Sequence, residues 1–181
     1  MDVFVEYLVK KKRTVRDNLI TVSILLCVVL LPLACCALAQ LTGIYYLIMV
    51  GFFVLIAAIY GAWYLITSQN VEFEYSVTNN NITVDKVIAK RKRKRILSMD
   101  IKKIEEMGKL NEKDYGRRKY DKIFFVGATE DGDDVFAAVF YLEKYGNCLL
   151  IFSPNEKILQ AMRPHLKREV VMQLFYKRNY A

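Results

Sequence analysis

The sequence lacks charge over a long stretch near its N-terminus: no Asp, Glu, Lys or Arg occurs between Asn18 and Val71. All 27 Lys and Arg residues and all 19 Asp and Glu residues therefore lie before or after this stretch. Hydrophobic residues make up 54% of the chain and charged residues 25%, and the two classes are separated along the chain. This separation excludes an ordinary soluble domain and indicates a membrane protein.

The sequence also has few of the residues that form catalytic and metal sites. His165 is the sole histidine, the four cysteines have no metal-ligand spacing, and the eight glycines form no phosphate-binding motif. No disulfide is expected in a reducing cytoplasm. The acidic cluster Glu130–Asp134 is interpreted as a hairpin turn with solvated charges, although an enzyme site around Asp131–Asp134 is kept as a third hypothesis. We therefore expect no enzyme, no metal and no cofactor.

The uncharged stretch is long enough for two membrane-spanning helices, with a break at Ala39–Gly43. We predict a helical hairpin over 19–66, with spans at 19–39 and 44–66, preceded by a basic arm over 1–18. The arm is basic and the turn between the spans is uncharged, which predicts that both termini lie in the cytoplasm, at the cell (inner) membrane. A cleaved signal peptide is the alternative, but the apolar region is too long for one.

Small residues recur four positions apart in the second span, at Ala57, Ala58, Gly61 and Ala62. This spacing lets helices approach closely. The expected partner is the first span, and another subunit, including a second copy of the chain, is the alternative.

Residues 70–181 form the predicted cytoplasmic domain. "VEFEYSV" (71–77) alternates apolar and polar residues as a half-buried strand does, and "TNNN" (78–81) predicts a turn. We expect six or seven strands and an α+β fold, an antiparallel sheet or barrel closed by a C-terminal helix. Ser153, Pro154 and Glu156 predict the start of that helix by a capping box. Residues 101–110 and 169–176 fit either strand or helix.

Three segments carry a family resemblance: "WYLITSQNVEFEYSVTNNNITVDKV", "RILSMDIKKIEEMG" and "LLIFSPNEKILQAMRPHL". The order of strands followed by one helix resembles the pleckstrin-homology-like (PH-like) domains of bacterial membrane proteins. The whole chain resembles two-span membrane proteins of clostridia and related bacteria. The resemblance implies this architecture and implies no chemistry, because it includes no catalytic motif.

Six consecutive basic residues follow the second predicted strand of the domain: Lys90, Arg91, Lys92, Arg93, Lys94 and Arg95. If the first strand leaves the membrane and the second returns, this run lies at the level of the lipid headgroups. There each cation contributes about 1 kcal/mol of attraction to anionic lipid. An extended strand would point these residues to both faces and leave no face for a core, so part of the run must be turn.

A second basic group is expected beside this run, and together they would form a basic collar that contacts anionic lipid. Its members in the N-terminal arm are Lys10, Lys11, Lys12 and Arg13. The structural alternative is loop charge that serves topology and solubility alone. Nucleic-acid binding is not expected, because the run has no interleaved aromatic residues.

The sequence therefore predicts a non-enzymatic membrane scaffold that is seated on anionic lipid and presents a surface to a protein partner. The alternative is an accessory subunit of a larger membrane complex, recognised through its helical hairpin.

Overall fold

The computed structural model describes residues 4–112, 115, 118–129 and 134–176. The chain forms two compact units. Residues 13–70 make up a helical unit, and the chain before Arg13 joins the chain after Asn70 in a second, sheet-rich unit.

The helical unit consists of α1 (Val15–Thr42) and α2 (Tyr46–Ser68). The Thr14 backbone N–H donates to Asp17 Oδ2 at 3.0 Å, which orders the first turn of α1. Gly43 ends α1 with a φ of 69°, a left-handed conformation that costs glycine no Cβ clash. Both helices are long and apolar enough to cross a membrane, which indicates membrane association.

The two helices pack through residues spaced three and four apart along one face of α1. On α1 these positions are half-buried or buried: Asp17, Thr21, Ile24, Val28, Pro32, Cys35 and Ala39. The helices lie close together at Gly51, where an added Cβ would lie 3.1 Å from Cys35 Cβ. At the other end, Thr21 Oγ1 donates to Gln69 Oε1 at 3.0 Å.

The sheet-rich unit contains eight strands within the described residues, arranged in two four-stranded sheets. Sheet A has the order β1-β2-β3-β4 and is antiparallel throughout. Its strands are β1 (Phe4–Lys10), β2 (Val71–Thr78), β3 (Asn81–Ile88) and β4 (Lys92–Asp100). Sheet B has the order β5-β7-β8-β6. Its strands are β5 (Ile104–Lys109), β6 (Lys122–Phe125), β7 (Phe136–Leu142) and β8 (Gly146–Phe152).

Strand β1 is the main difference from the prediction, which placed residues 1–18 in a separate basic arm. Phe4–Lys10 instead pairs with the whole of β2, from Phe4 opposite Thr78 to Lys10 opposite Glu72. Val9 is buried in the core of the domain. The domain is therefore built from both sides of the helical hairpin and does not begin at residue 70.

The expected sheet also differs in connectivity. The prediction was six or seven antiparallel strands, whereas β6 and β8 are parallel and the two sheets do not close into a barrel. The predicted turn after β2 is present, with Asn79 in the left-handed conformation at a φ of 54°. The dipeptide Gly146–Asn147 is a hairpin signal in the sequence. It lies at the start of β8, directly after the turn that joins β7 to β8.

The C-terminal part of the domain is helical. It consists of α3 (Glu156–Met162), a 3₁₀ turn (Arg163–His165), α4 (Arg168–Val171) and a π-helical turn (Met172–Tyr176). Segment 169–176 is thus helical, and segment 101–110 begins with a 3₁₀ turn (Ile101–Lys103) that leads into β5. A further 3₁₀ turn, Leu110–Glu112, follows β5.

The predicted capping box at Ser153 is wrong. Asn155 is the N-cap of α3, and its side-chain oxygen accepts from the Ile158 N–H at 2.9 Å. Ser153 is occupied elsewhere: its N–H donates to the Tyr75 hydroxyl at 3.2 Å, and its own hydroxyl accepts from the Ala128 N–H at 3.3 Å.

The core lies between the two sheets and α3. Tyr75 is fully buried at its centre, packs edge-on against Phe152, and donates its hydroxyl hydrogen to the Val126 carbonyl. Burial raises the pKa of Tyr75, so the phenol stays neutral and serves as a hydrogen-bond link between the sheets. Two apolar helices followed by a sheet-rich domain with C-terminal helices are consistent with a PH-like fold.

Candidate functional site

The basic run begins in a tight turn between β3 and β4. Ala89 and Lys90 both have positive φ, 52° and 55°, and the Arg91 N–H donates to the Ile88 carbonyl at 2.9 Å. Two left-handed central residues define a type I′ hairpin, whose twist matches that of the strands. The turn therefore ends at Arg91, and the remaining four basic residues belong to β4.

Part of the run is thus turn, as predicted, and the rest is strand. Lys92–Arg95 are extended and exposed, and the first buried residue of β4 is Leu97. The start of β4 thus lies beyond the core, where no face of the strand needs to be apolar. An irregularity in the register opposite Val84 and Asp85 separates this part of β4 from its buried part.

The strand divides its four basic residues between two faces. Arg93 and Arg95 lie on the face that carries the carboxylates of β2 and β3, since Arg95 is opposite Asp85 and Asp85 is opposite Glu74. Lys92 and Lys94 lie on the other face, opposite Ile88 and Lys86. Successive side chains of a strand alternate in this way.

The two arginines are bound to buried carboxylates. Arg93 Nη2 lies 2.6 Å from Glu74 Oε2, and Arg95 Nε lies 3.3 Å from Asp85 Oδ1. Glu74 is only 5% exposed and Asp85 only 8%. A carboxylate removed from water is costly unless it is paired, so Arg93 and Arg95 serve the fold of sheet A.

Glu74 is the most perturbed member of this cluster. Burial raises its pKa, and the hydrogen bond and negative charge of Glu6 raise it further, with a smaller contribution from Asp85. The Arg93 charge acts in the opposite direction. Sequence reasoning missed this cluster, although the alternation of Glu72 and Glu74 along β2 indicated a charged outer face.

Lys92 and Lys94 differ from the arginines. Both are exposed, and neither they nor Lys90 takes part in an ion pair within the described residues. These three ammonium groups remain available to an anionic surface. Arg91, in the turn, is exposed as well.

The register places part of the N-terminal basic group at the same end of sheet A. Lys10 is opposite Glu72, which is opposite Val87, which is opposite Arg93. The Lys11 N–H donates to the Val71 carbonyl at 3.0 Å, and the Lys12 N–H to the Ala128 carbonyl at 2.9 Å.

The two basic groups do not form one continuous collar. Strands β1 and β4 are three strand spacings apart, or about 14 Å at ~4.8 Å each. Glu72 lies between them, and its Oε1 is 3.9 Å from Lys10 Nζ. Arg13 belongs to the helical unit, where it donates to Asn70 Oδ1 at 3.1 Å.

The four small residues of α2 have different environments. Ala62 is buried and Ala58 half-buried against α1, whereas Ala57 is exposed. Gly61 is not a packing contact, because an added Cβ would meet nothing within 4 Å. The close helix contact is made by Gly51, which the spacing argument did not select.

The remaining candidate sites carry no support from the described residues. No group of three or more His, Cys, Asp or Glu side chains there could hold a metal ion. Residues 130–133 of the acidic cluster lie outside the described residues, and Asp134 is exposed. Cys148 is buried in β8, and burial raises the pKa of its thiol, which disfavours the reactive thiolate.

One more surface feature lies at the opposite end of sheet A. A cleft of about 390 Å³ is lined by Lys102, Lys103, Glu105, Tyr141, Glu143 and Lys167. It begins just after Asp100, the last residue of β4, which is about 26 Å from Lys92 at ~3.3 Å per residue. Tyr141 is 52% exposed there.

Comparison with known families gives one match. The family model described as "Bacterial PH-like domain (DUF6106)" matches residues 1–172. The chain belongs to this family. The match includes the strand β1 segment and both apolar helices, so in this chain the matched region includes the helical hairpin between β1 and β2. No curated protein and no solved structure matches the chain. PH-like domains are generally non-catalytic binding modules.

Proposed function

We propose that the chain is a two-span membrane scaffold of the bacterial cell membrane, of the clostridial type that its sequence resembles. The uncharged connection between α1 and α2 lies outside, and the basic flank of α1 keeps both termini in the cytoplasm. The chain leaves the PH-like domain after Lys12 and returns to it at Val71. Because both of these points lie on the cytoplasmic side in this topology, the domain lies there too.

The observation that carries the proposal is the register at one end of sheet A. The two connections to the helices follow Lys12 and precede Val71, and Val71 is opposite Ile88, which is opposite Lys92. The basic turn is thus at the end of the sheet where the chain meets the helices. This supports a position close to the headgroups for Lys90, Lys92 and Lys94.

The seating is electrostatic and weak. Three lysines at about 1 kcal/mol each contribute roughly 3 kcal/mol on an anionic leaflet. Salt reduces this attraction, since the Debye length is about 8 Å at physiological ionic strength. The helical hairpin keeps the domain at the membrane, so the lysines determine its orientation and not its residence there.

The cleft at the far end of sheet A supports the second half of the proposal, the presentation of a surface to a protein partner. It combines three lysines with two glutamates and the exposed ring of Tyr141. Tyrosine is enriched at protein interfaces, and the rim of an interface is polar. A domain seated through its Lys92 end presents this cleft to the cytoplasm.

Lysine labelling of the full chain tests the seating directly. The protein is reconstituted in vesicles of phosphatidylcholine, with or without phosphatidylglycerol, and treated with an amine-reactive reagent before mass spectrometry. We expect phosphatidylglycerol to slow the labelling of Lys92 and Lys94 several-fold, and high salt to restore it. Lys102 and Lys103 are internal controls whose labelling stays constant. Equal labelling of Lys92 and Lys94 in both vesicle types would refute the seating.

The fragment 70–181 is unsuitable for this test, because it lacks β1 and leaves the β2 edge unpaired.

An accessory subunit of a larger membrane complex is the second candidate function. The observation in its favour is that Ala57 is exposed, so another helix can approach α2 closely at this small residue. A fixed partner that co-purifies with the chain in detergent and is lost on Ala57→Leu would favour this function over the scaffold.

A further inference from the structure

A groove of about 550 Å³ runs between α1 and α2 on one side of the helical unit. Its α2 wall is made of small residues, Ala58, Gly61 and Ala62, followed by Leu65. The α1 wall is made almost entirely of larger apolar side chains: Leu19, Ile20, Ile24, Cys27, Val28 and Leu31, with Ser23 among them. The groove is a gap that the hairpin does not fill with its own side chains.

The groove has one charged residue, and it lies at one end. Arg16 lines the groove in the first turn of α1 and is exposed. It is also the last cation before the uncharged stretch. Its position therefore marks the depth at which α1 passes from the lipid headgroups into the hydrocarbon region. The neighbouring carboxylate, Asp17, accepts the Thr14 N–H at the helix start.

The length of the groove matches one leaflet. Its α1 wall extends from Arg16 to Leu31, or about 22 Å at ~1.5 Å per residue. A bilayer with its headgroup regions is about 40–45 Å thick, so one leaflet is roughly 20–22 Å deep. A groove with a cation at headgroup depth and an apolar floor down to the midplane has the dimensions and the polarity of a single phospholipid.

We propose that this groove binds one anionic phospholipid of the cytoplasmic leaflet, with the headgroup phosphate at Arg16 and an acyl chain along Gly61. The proposal depends on the membrane-spanning part of the proposed function and is independent of the basic turn. A second copy of the chain is the competing occupant. A symmetric dimer through this groove would bring two Arg16 side chains together at the same membrane depth, and this like-charge contact disfavours it.

Spin-labelled lipids test the proposal on the full chain. The protein is reconstituted in phosphatidylcholine vesicles that contain traces of phosphatidylglycerol or phosphatidylcholine with a label deep in the acyl chain. Electron paramagnetic resonance then measures the motionally restricted fraction. We expect the wild type to restrict phosphatidylglycerol several-fold more than phosphatidylcholine.

Two variants and a matched control locate the site. Gly61→Leu fills the groove without a backbone clash and should remove the restricted phosphatidylglycerol, whereas Arg16→Gln should remove the headgroup preference only. Ala57→Leu places the same leucine side chain on α2 outside the groove lining and should change neither. A Lys92→Gln, Lys94→Gln double variant should also keep the restricted lipid, which separates this site from the basic turn.

Two results would overturn the proposal. One is a preference for phosphatidylglycerol that survives both Arg16→Gln and Gly61→Leu. The other is a cross-linked dimer that Gly61→Leu abolishes while lipid restriction stays unchanged. A chain that alkaline carbonate extracts from the membrane would refute the proposed membrane function itself, whereas loss of Lys92 protection with intact lipid restriction would refute only the seating.

Discussion

The two faces of β4 carry the same kind of residue and have different tasks. On one face, Arg93 and Arg95 are tied to the buried carboxylates Glu74 and Asp85. On the other, Lys92 and Lys94 are exposed and make no ion pair within the described residues. The number of cations in a basic run is therefore larger than the number available to a ligand, because some of them form ion pairs within the fold.

The choice of residue type fits this division. Arginine has a planar guanidinium group that binds carboxylates with directional hydrogen bonds and is more weakly hydrated than an ammonium group. It suits a pair with a buried carboxylate. Lysine keeps a strongly hydrated point charge on a flexible chain, which suits a diffuse anionic surface.

The two faces of β4 should differ most in their contribution to lipid contact. Replacing Lys92 and Lys94 by Gln removes about 2 kcal/mol of attraction, which lowers the equilibrium constant between the seated and unseated states roughly 30-fold. Replacing Arg93 and Arg95 by Gln removes the same formal charge but should change this equilibrium constant less than threefold. The measurement is the protection of Lys90 from amine labelling in vesicles with phosphatidylglycerol.

Equal loss of Lys90 protection in the two double variants would mean that total charge alone determines the contact. The distinction between the faces would then have no functional meaning, even if the seating itself were real.

The two faces should differ less in their contribution to the free energy of unfolding. Arg93→Gln leaves Glu74 buried beside Glu6 without its cation and should lower the free energy of unfolding of the sheet domain. We expect roughly 1–2 kcal/mol, a modest value because the guanidinium side is 60% exposed and screened by water. Urea unfolding in detergent, followed by circular dichroism of the sheets, measures it.

Lys94→Gln is the matched control for this stability measurement, since it removes one charge from the neighbouring position of the same strand. It should change the unfolding free energy by less than about 0.5 kcal/mol. Arg93→Lys keeps the charge and should recover part of the loss. A control as unstable as Arg93→Gln would show that the strand, and not the ion pair, was disturbed.

Features that depend on local pattern were predictable from the sequence. The two apolar helices, the turn at Asn79 and the β7–β8 hairpin follow from continuous hydrophobicity and from turn chemistry within a few residues. The strand β1 was missed because Lys10 and the basic residues after it were interpreted as a topology signal, although Val5, Tyr7 and Val9 recur at every second position, as in a strand.

Features that depend on distant partners were not predictable. Asn155 caps α3 in place of Ser153, because the Ser153 hydroxyl accepts from the N–H of Ala128, which is distant in the sequence. The parallel pair of β6 and β8 has no local signature either. In the candidate site, the position of the basic run at a strand end was predictable, whereas its division into two faces required the register of three strands.

The smallest expected effect is a pH dependence that belongs to the arginine face alone. The pKa of Glu74 is raised above its unfolded value of 4.5, chiefly by burial and by Glu6, against the pull of Arg93. Its contribution to stability is therefore fully present below the unfolded pKa and is lost as the pH rises through the folded pKa. Because Gln does not titrate, the unfolding free energy of the wild type minus that of Glu74→Gln should increase from neutral pH toward pH 4.5. Glu6→Gln should make this increase smaller. A free-energy difference that is constant, or that decreases toward acid pH, would show that the Arg93 charge determines the pKa of Glu74.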